Sequence, residues 1–271
     1  MTAVASPLAP RAGRFANVGP LGIALAAIWA VIIIAIVAAL IYAIDTERLS
    51  RYGMRFLYGF VTTLELVGLS LACGALVSIP IAAGRLSANR FLGALAYGYS
   101  YFFRGTPLLA QLFLIYYGAG EFAPFLKSVG LWWIFRDAFF CALLSFALNT
   151  GAYQSEILAG AIRNVSADQR EGAYALGMHR WSTLWNVVLP QAFITALRPY
   201  GNEVILMIKA SAIASIVTVL DLMGQTRFIF SKTYDLSVYL WAAVFYLITV
   251  EVLSRIVNLI ERRLTRHLKP S

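Results

Sequence analysis

The chain alternates long apolar runs with shorter polar ones, and the runs have the length of membrane-crossing helices, about 20 mainly apolar residues each. No charge falls between Phe15 and Ile44, which predicts a first span over roughly 20–44. Arg11 and Arg14 precede it as they would precede a secretory leader. The run is far longer than a leader's apolar segment and no Ala-x-Ala site follows, so an anchored helix is expected. The second span is expected over roughly 57–84, crossed by Glu65 and closed by Pro80 and Gly84. The third covers roughly 91–118 and carries Arg104, followed by Gly105-Thr106-Pro107, where a helix break is predicted. Trp132-Trp133, a pair suited to the membrane interface, introduces the fourth over roughly 137–160. Pro199-Tyr200-Gly201 predicts a bend in the fifth, over roughly 190–220, and the sixth covers roughly 237–259. The expected fold class is an all-α polytopic membrane protein with six transmembrane helices.

Composition agrees. Charged residues make up only 13% of the 271, the AVILMFWYC set makes up 60%, and mean hydropathy is +0.74. A soluble fold of this size has too little interior for that much apolar surface, and disorder is excluded by the same numbers.

The formal charge is +9, which in a soluble chain would suggest a nucleic-acid partner. Sorted by loop, eleven cations share the side of the two termini: Arg11, Arg14, Arg85, Arg90, Arg163, Arg170, Arg180, Arg262, Arg263, Arg266 and Lys269. Seven lie opposite, several of them in the basic 45–56 loop. Lysine and arginine favour cytoplasmic loops, so both termini are expected in the cytoplasm and no nucleic acid is needed. Cys73 and Cys141, far apart in apolar runs, indicate neither a disulfide framework nor a metal site.

The longest cytoplasmic connection, 161–189, reads as a helix outside the membrane. Ser166 and Gln169 have capping-box spacing. Asp168 and Glu171 stand in the first turn, and Gly177 suits the residue just past the end, so a helix over about 167–176 is expected. A second short helix from about Trp181 would lead to Pro190. Spacing alone leaves two uses open: resting on the membrane surface or docking a partner.

Glu171-Gly172-Ala173, then Gly177, then Val187-Val188-Leu189-Pro190 resembles the EAA motif of permease subunits in binding-protein-dependent ATP-binding cassette (ABC) importers. Gly172 stands where the motif usually has Ala and Val187 where it usually has Ile. Phe103-Arg104-Gly105-Thr106-Pro107-Leu108-Leu109-Ala110-Gln111 is similar to the signature of the polar amino-acid subfamily, as are Asn149–Ile157 and Asn202–Met207. The terminal His267-Leu268-Lys269-Pro270-Ser271 resembles the M-type subunits of histidine, basic amino-acid and opine permeases. The resemblance covers about 56–271. It implies a type-I ABC-importer permease fold with one extra N-terminal helix, and three segments: 1–55 with that helix, a permease domain over 56–260, and a basic tail over 261–271. It also implies a multi-pass inner-membrane protein that imports histidine, arginine, lysine, ornithine or opines by alternating access. Glu171, Gly172, Ala173, Gly177, Leu189 and Pro190 would then couple it to a cassette ATPase homodimer. The other implied partners are a second permease subunit (a Q-type relative or a second copy), a periplasmic solute-binding protein and membrane lipids. No phosphate-binding Gly-x-x-x-x-Gly-Lys-Ser/Thr loop occurs in the sequence, so the chain is expected to be no enzyme and to bind no cofactor itself. ATP and Mg would act through the ATPase.

Charged residues within the spans stand out against this background. Glu251 and Arg255, four apart, are expected to pair, and Glu156 to be satisfied by another helix or by snorkelling. Arg198 is placed at the bend before Pro199. Arg104 and Glu203 each adjoin an expected break, and interrupted helices often line substrate cavities. Arg104, Glu65 and Glu203 are therefore the candidate substrate pathway, with an internal charge network as the competing use. The rival function is an ion-coupled secondary transporter that needs no ATPase.

Overall fold

The computed structural model describes residues 19–42 and 46–266, all of whose regular elements are helical. Contacts divide the chain into two compact units after Leu49. The first contains α1 (Pro20–Tyr42), an unbroken apolar helix without a charged residue. The N-terminal Arg11 and Arg14 and the tail from His267 to Ser271 lie outside the described residues.

The second unit is built from long antiparallel helices. Its first, α2 (Thr46–Leu86), is 41 residues long, about 60 Å at 1.5 Å per residue. It begins well before the expected boundary, so the basic 45–56 stretch is largely helical rather than a loop. Arg55 helps to hold that extension, with its guanidinium 4.5 Å above the Phe228 ring. The helix also runs through Pro80 instead of ending there. A proline removes one donor, a loss that packed spanning helices tolerate.

The expected break in the third span is present. α3 (Arg90–Gly105) and α4 (Leu108–Tyr116) are separated at Thr106-Pro107. Three short helices, α5 (Gly118–Glu121), α6 (Ala123–Ser128) and α7 (Trp132–Phe135), then lead to α8 (Ala138–Arg163). Asp137 caps α8 by accepting the Phe139 N–H at 2.8 Å.

α9 (Ala167–Ala175) and α10 (Arg180–Thr183) form the connection after α8. From α10 the chain stays helical through a wide turn, Leu184–Val188, into α11 (Leu189–Ser211). The Leu189 N–H reaches back five residues to the Leu184 carbonyl, as a π-type turn requires. α11 continues across Pro199, so the break expected next to Glu203 is absent. Neighbours hold the helix on either side of it: the Tyr200 hydroxyl donates to Gln154 Oε1 at 2.6 Å, and Gly201 leaves room for Val257.

Ala212–Val217 form a 3₁₀ segment ended by Thr218 at φ +68°, and α12 (Leu222–Thr233) and α13 (Ser237–Leu264) complete the unit. Asp221 caps α12, accepting the Gly224 N–H at 2.8 Å. Burial on this connection, outside the spanning segments, pushes its carboxyl from 3.8 up to about 7.

α8 and α11 form the centre. α8 buries Cys141, Ala142, Phe146, Ala147 and Ala152, and Leu66, Leu112, Met207 and Ile208 pack around Phe146. Small residues let α2 approach α8: a Cβ on Gly74 would lie 2.5 Å from Thr150 Cγ2. Four helical stretches are long and apolar enough to cross a membrane: α1, α2, the α10–α11 run and α13. α8 and the α3–α4 pair complete the six expected spans. α8 falls short on apolarity because it carries Asn149, Thr150, Gln154, Ser155 and Glu156, and α3 and α4 fall short on length, at 16 and 9 residues, because the helix is broken at Pro107.

Candidate functional site

The break between α3 and α4 is held by side chains the chain supplies elsewhere. Pro107 has no N–H, so the Phe103 carbonyl four residues earlier loses its helical donor. Two amides replace it: Gln111 Nε2 donates to Phe103 O at 2.9 Å and Asn149 Nδ2 at 2.8 Å. Asn149 Nδ2 also donates to Gln111 Oε1 at 3.1 Å, and Gln111 Nε2 donates to Thr106 Oγ1 at 2.6 Å. The Arg104–Gln111 segment and the Asn149 segment are thus two halves of one device. It fixes the backbone where α3 ends and presents Arg104 at the open end.

A cavity of about 300 Å³ lies beside that end, lined by Arg85, Tyr97, Ser100, Tyr101, Arg104 and Glu156. Arg104 stands fourteen residues along α3, about 21 Å from its start. Its guanidinium lies 5.2 Å over the Tyr153 ring. Glu156 on α8 is held by Arg85, with Nε 2.6 Å from Oε1. Helix-to-helix pairing therefore satisfies Glu156, as one of the two expected ways allowed.

Of Arg104, Glu65 and Glu203, only Arg104 lines this cavity; Glu203 lies behind it, within reach of the Arg104 charge. Glu203 is only 6% exposed and accepts the Thr150 hydroxyl at 2.8 Å, inside a network with Gln154 and Tyr200. Glu65 stands on an exposed face of α2, with no ion pair among the described residues. Glu251 and Arg255 pair at 2.6 Å as expected. Arg198, just before Pro199, pairs with Glu261 of α13 at 3.3 Å. Arg85, Tyr97, Ser100 and Tyr101 were not legible as cavity residues, because only the pairing of α2, α3 and α8 brings them together. The two amides at the break had a signal in the sequence: a proline in a spanning helix calls for a replacement donor.

The connection between α8 and α11 presents a second surface. α9 begins where the spacing places it, but without the capping box, since Ser166 makes no side-chain cap. Gln169 instead accepts from Gln191 Nε2 at 3.5 Å, and Arg170 donates to the Ile162 and Val165 carbonyls, tying α9 to the end of α8. At the other end Gly177 takes φ +76°, the left-handed conformation it suits. Its N–H bonds Tyr174 O at 2.9 Å, and the Met178 N–H bonds Ala173 O at 3.1 Å, the Schellman pattern. Ala173 is buried, while Glu171 and Gly172 face outward. Tyr174 is 52% and Leu176 84% exposed, an apolar edge on a polar helix. Leu189 and Pro190 open α11 behind it.

Comparison with known proteins agrees with this geometry. The nopaline transport system permease protein NocM of Agrobacterium fabrum is 46% identical over 226 residues, covering 83% of this chain and 94% of the relative. The octopine transport system permease protein OccM of Rhizobium radiobacter is 38% identical, covering 80% and 89%. The arginine ABC transporter permease protein ArtM of Escherichia coli is 39% identical over 166 residues, covering 61% and 74%. Among solved structures, an amino acid ABC transporter with histidines superposes with a TM-score of 0.71 at 34% identity, covering 82% of this chain and 99% of that one. An inward-facing form of the MetNI methionine ABC transporter shares the fold, with a TM-score of 0.66 at 19% identity. Residues 74–269 match the family described as the binding-protein-dependent transport system inner membrane component, and the chain belongs to that family.

Proposed function

We propose that the chain is the membrane-spanning permease of an ATP-driven importer of polar amino acids or opines, with both termini in the cytoplasm. It is a transport subunit and not an enzyme; hydrolysis belongs to a separate ATPase chain. The observation that carries this reading is α9, whose buried Ala173 ties it to the bundle while Glu171, Tyr174 and Leu176 face outward. A partner ATPase that grips this face moves α9, and α9 moves α8 and α11, between which it is tied. Ligand and nucleotide shift the outward- and inward-open states only through contacts that differ between them. The partners proposed are a cassette ATPase dimer, a second permease (a Q-type relative or a second copy), and a solute-binding protein on the outer side.

Substrate passes the cavity at Arg104, whose guanidinium suits a carboxylate. Arginine, octopine and nopaline share a guanidino group and at least one carboxylate, so the class proposed is guanidino amino acids and their opine derivatives. Glu65, exposed on α2, is proposed to face the pathway between the two permeases, and Glu203 to act behind the cavity wall by holding α8 to α11.

The test is Leu176→Asp in the transporter assembled with its ATPase. A charge in the docking edge is expected to lower substrate-stimulated ATP hydrolysis by at least about tenfold, roughly 1.4 kcal/mol, with assembly of the spanning helices intact. Unaltered stimulation would contradict the assignment of α9.

A further inference from the structure

The cavity contains an acid that the protein has already neutralised. Glu156 is the one carboxylate lining it among the described residues, and Arg85 engages both oxygens: Nε donates to Oε1 at 2.6 Å and a terminal nitrogen to Oε2 at 3.4 Å. The Arg85 guanidinium also lies 5.1 Å from the Tyr97 ring centroid, and its backbone carbonyl accepts from Arg163 at 2.7 Å. Both members of the pair are only about one-fifth exposed. Arg104, in the same cavity, forms no salt bridge with Glu156, although its charge acts on Glu156 and on Glu203 from a distance; its guanidinium lies over the Tyr153 ring instead.

The two arginines therefore differ in kind. Arg104 is a cation open to a ligand's carboxylate. Arg85 is a guanidinium placed where a ligand's own guanidinium would want to go. We propose that Arg85 is an internal stand-in for the cationic end of the substrate, holding Glu156 in the empty cavity and yielding it when a guanidino substrate binds. The inference rests on the proposed function and adds a specificity residue to it.

The chemistry favours exchange over simple addition. A carboxylate left unpaired in a half-buried wall is costly. Swapping one guanidinium–carboxylate fork for another keeps it compensated throughout, because the incoming group has the same planar donor geometry. A neutral side chain of the same shape has nothing to offer Glu156 and leaves the Arg85 pair closed. Discrimination thus comes from competition with a built-in rival, which weakens cationic ligands as well as excluding neutral ones. Arg85 stands in the last turn of α2, so its release removes the side-chain tie from that turn to α8 and leaves the Arg163 bond to its carbonyl in place.

The test compares arginine with citrulline, its uncharged ureido isostere, by equilibrium binding of each radiolabelled ligand to the full chain co-expressed with its partner subunits in nanodiscs. Wild type is expected to prefer arginine. Arg85→Gln is expected to widen the arginine-to-citrulline affinity ratio by about tenfold, because the rival is gone while Glu156 stays. Arg85→Lys should stay near the wild-type ratio. The double variant Arg85→Gln/Glu156→Gln, which leaves no lone charge to disturb folding, should bind both ligands alike. An unchanged or narrower ratio in Arg85→Gln, or an arginine preference that survives in the double variant, overturns the inference while leaving the site in place. Wild type binding neither ligand would remove the site and the inference together.

Discussion

The carbonyl of Phe103 shows how single residues decide the shape of this molecule. Pro107 takes away its donor, and Gln111 and Asn149 return two. Removing one amide has a calculable effect. Asn149→Leu leaves Gln111 Oε1 without its donor in a buried position, a loss of about 1–3 kcal/mol. The thermal midpoint of the purified protein is expected to fall by several degrees, and a midpoint unaltered by the substitution would show that the amides do not hold the break. The break itself was legible in the sequence, from Gly105-Thr106-Pro107. The residue that completes it was only half legible: Asn149 stands 42 positions after Pro107, and nothing local to it names Phe103 as its partner. The same distance hid Arg85, which sequence alone places among the cytoplasmic cations and the fold places against Glu156.

At the scale of elements, apolar length placed most of the long helices and turn chemistry placed α9. Pro80 and Pro199 misled, because proline ends helices in water but is accommodated where neighbouring helices hold both sides. The capping box at Ser166 misled for a different reason: its Gln169 had a tertiary use, with Gln191. α12 had no apolar periodicity strong enough to mark it, and its N-cap, Asp221, is intelligible only with burial in view. That cap makes a pH-dependent prediction. Burial raises the Asp221 carboxyl from 3.8 to about 7, so the folded chain holds a proton that the unfolded chain releases. The stability this contributes is complete below the unfolded value and is lost as pH rises through about 7. Between about pH 5 and about pH 8 the thermal midpoint of wild type should therefore fall relative to Asp221→Asn, which keeps the acceptor for Gly224 without a charge. Parallel profiles for the two proteins would contradict the assignment.

For the whole molecule, the +9 charge is accounted for by the proposed orientation, which assigns eleven cations to the side of the α8–α11 connection. There α9 offers an apolar edge, Tyr174 and Leu176, that the bundle does not cover. The cavity at Arg104, Arg85 and Glu156 lies on α2, α3 and α8, and α8 leads directly into that connection. On the proposed reading, ligand site and drive site therefore share the C-terminal part of α8, with Glu156 seven residues before its last residue, Arg163. The most direct test of this arrangement is uptake of radiolabelled arginine into proteoliposomes that contain the chain with its permease and ATPase partners, with the solute-binding protein outside. Uptake should require enclosed ATP, stop when the ATPase is omitted, and persist when an uncoupler collapses the ion gradients. Uptake by the chain without the ATPase, abolished by the uncoupler, would contradict it.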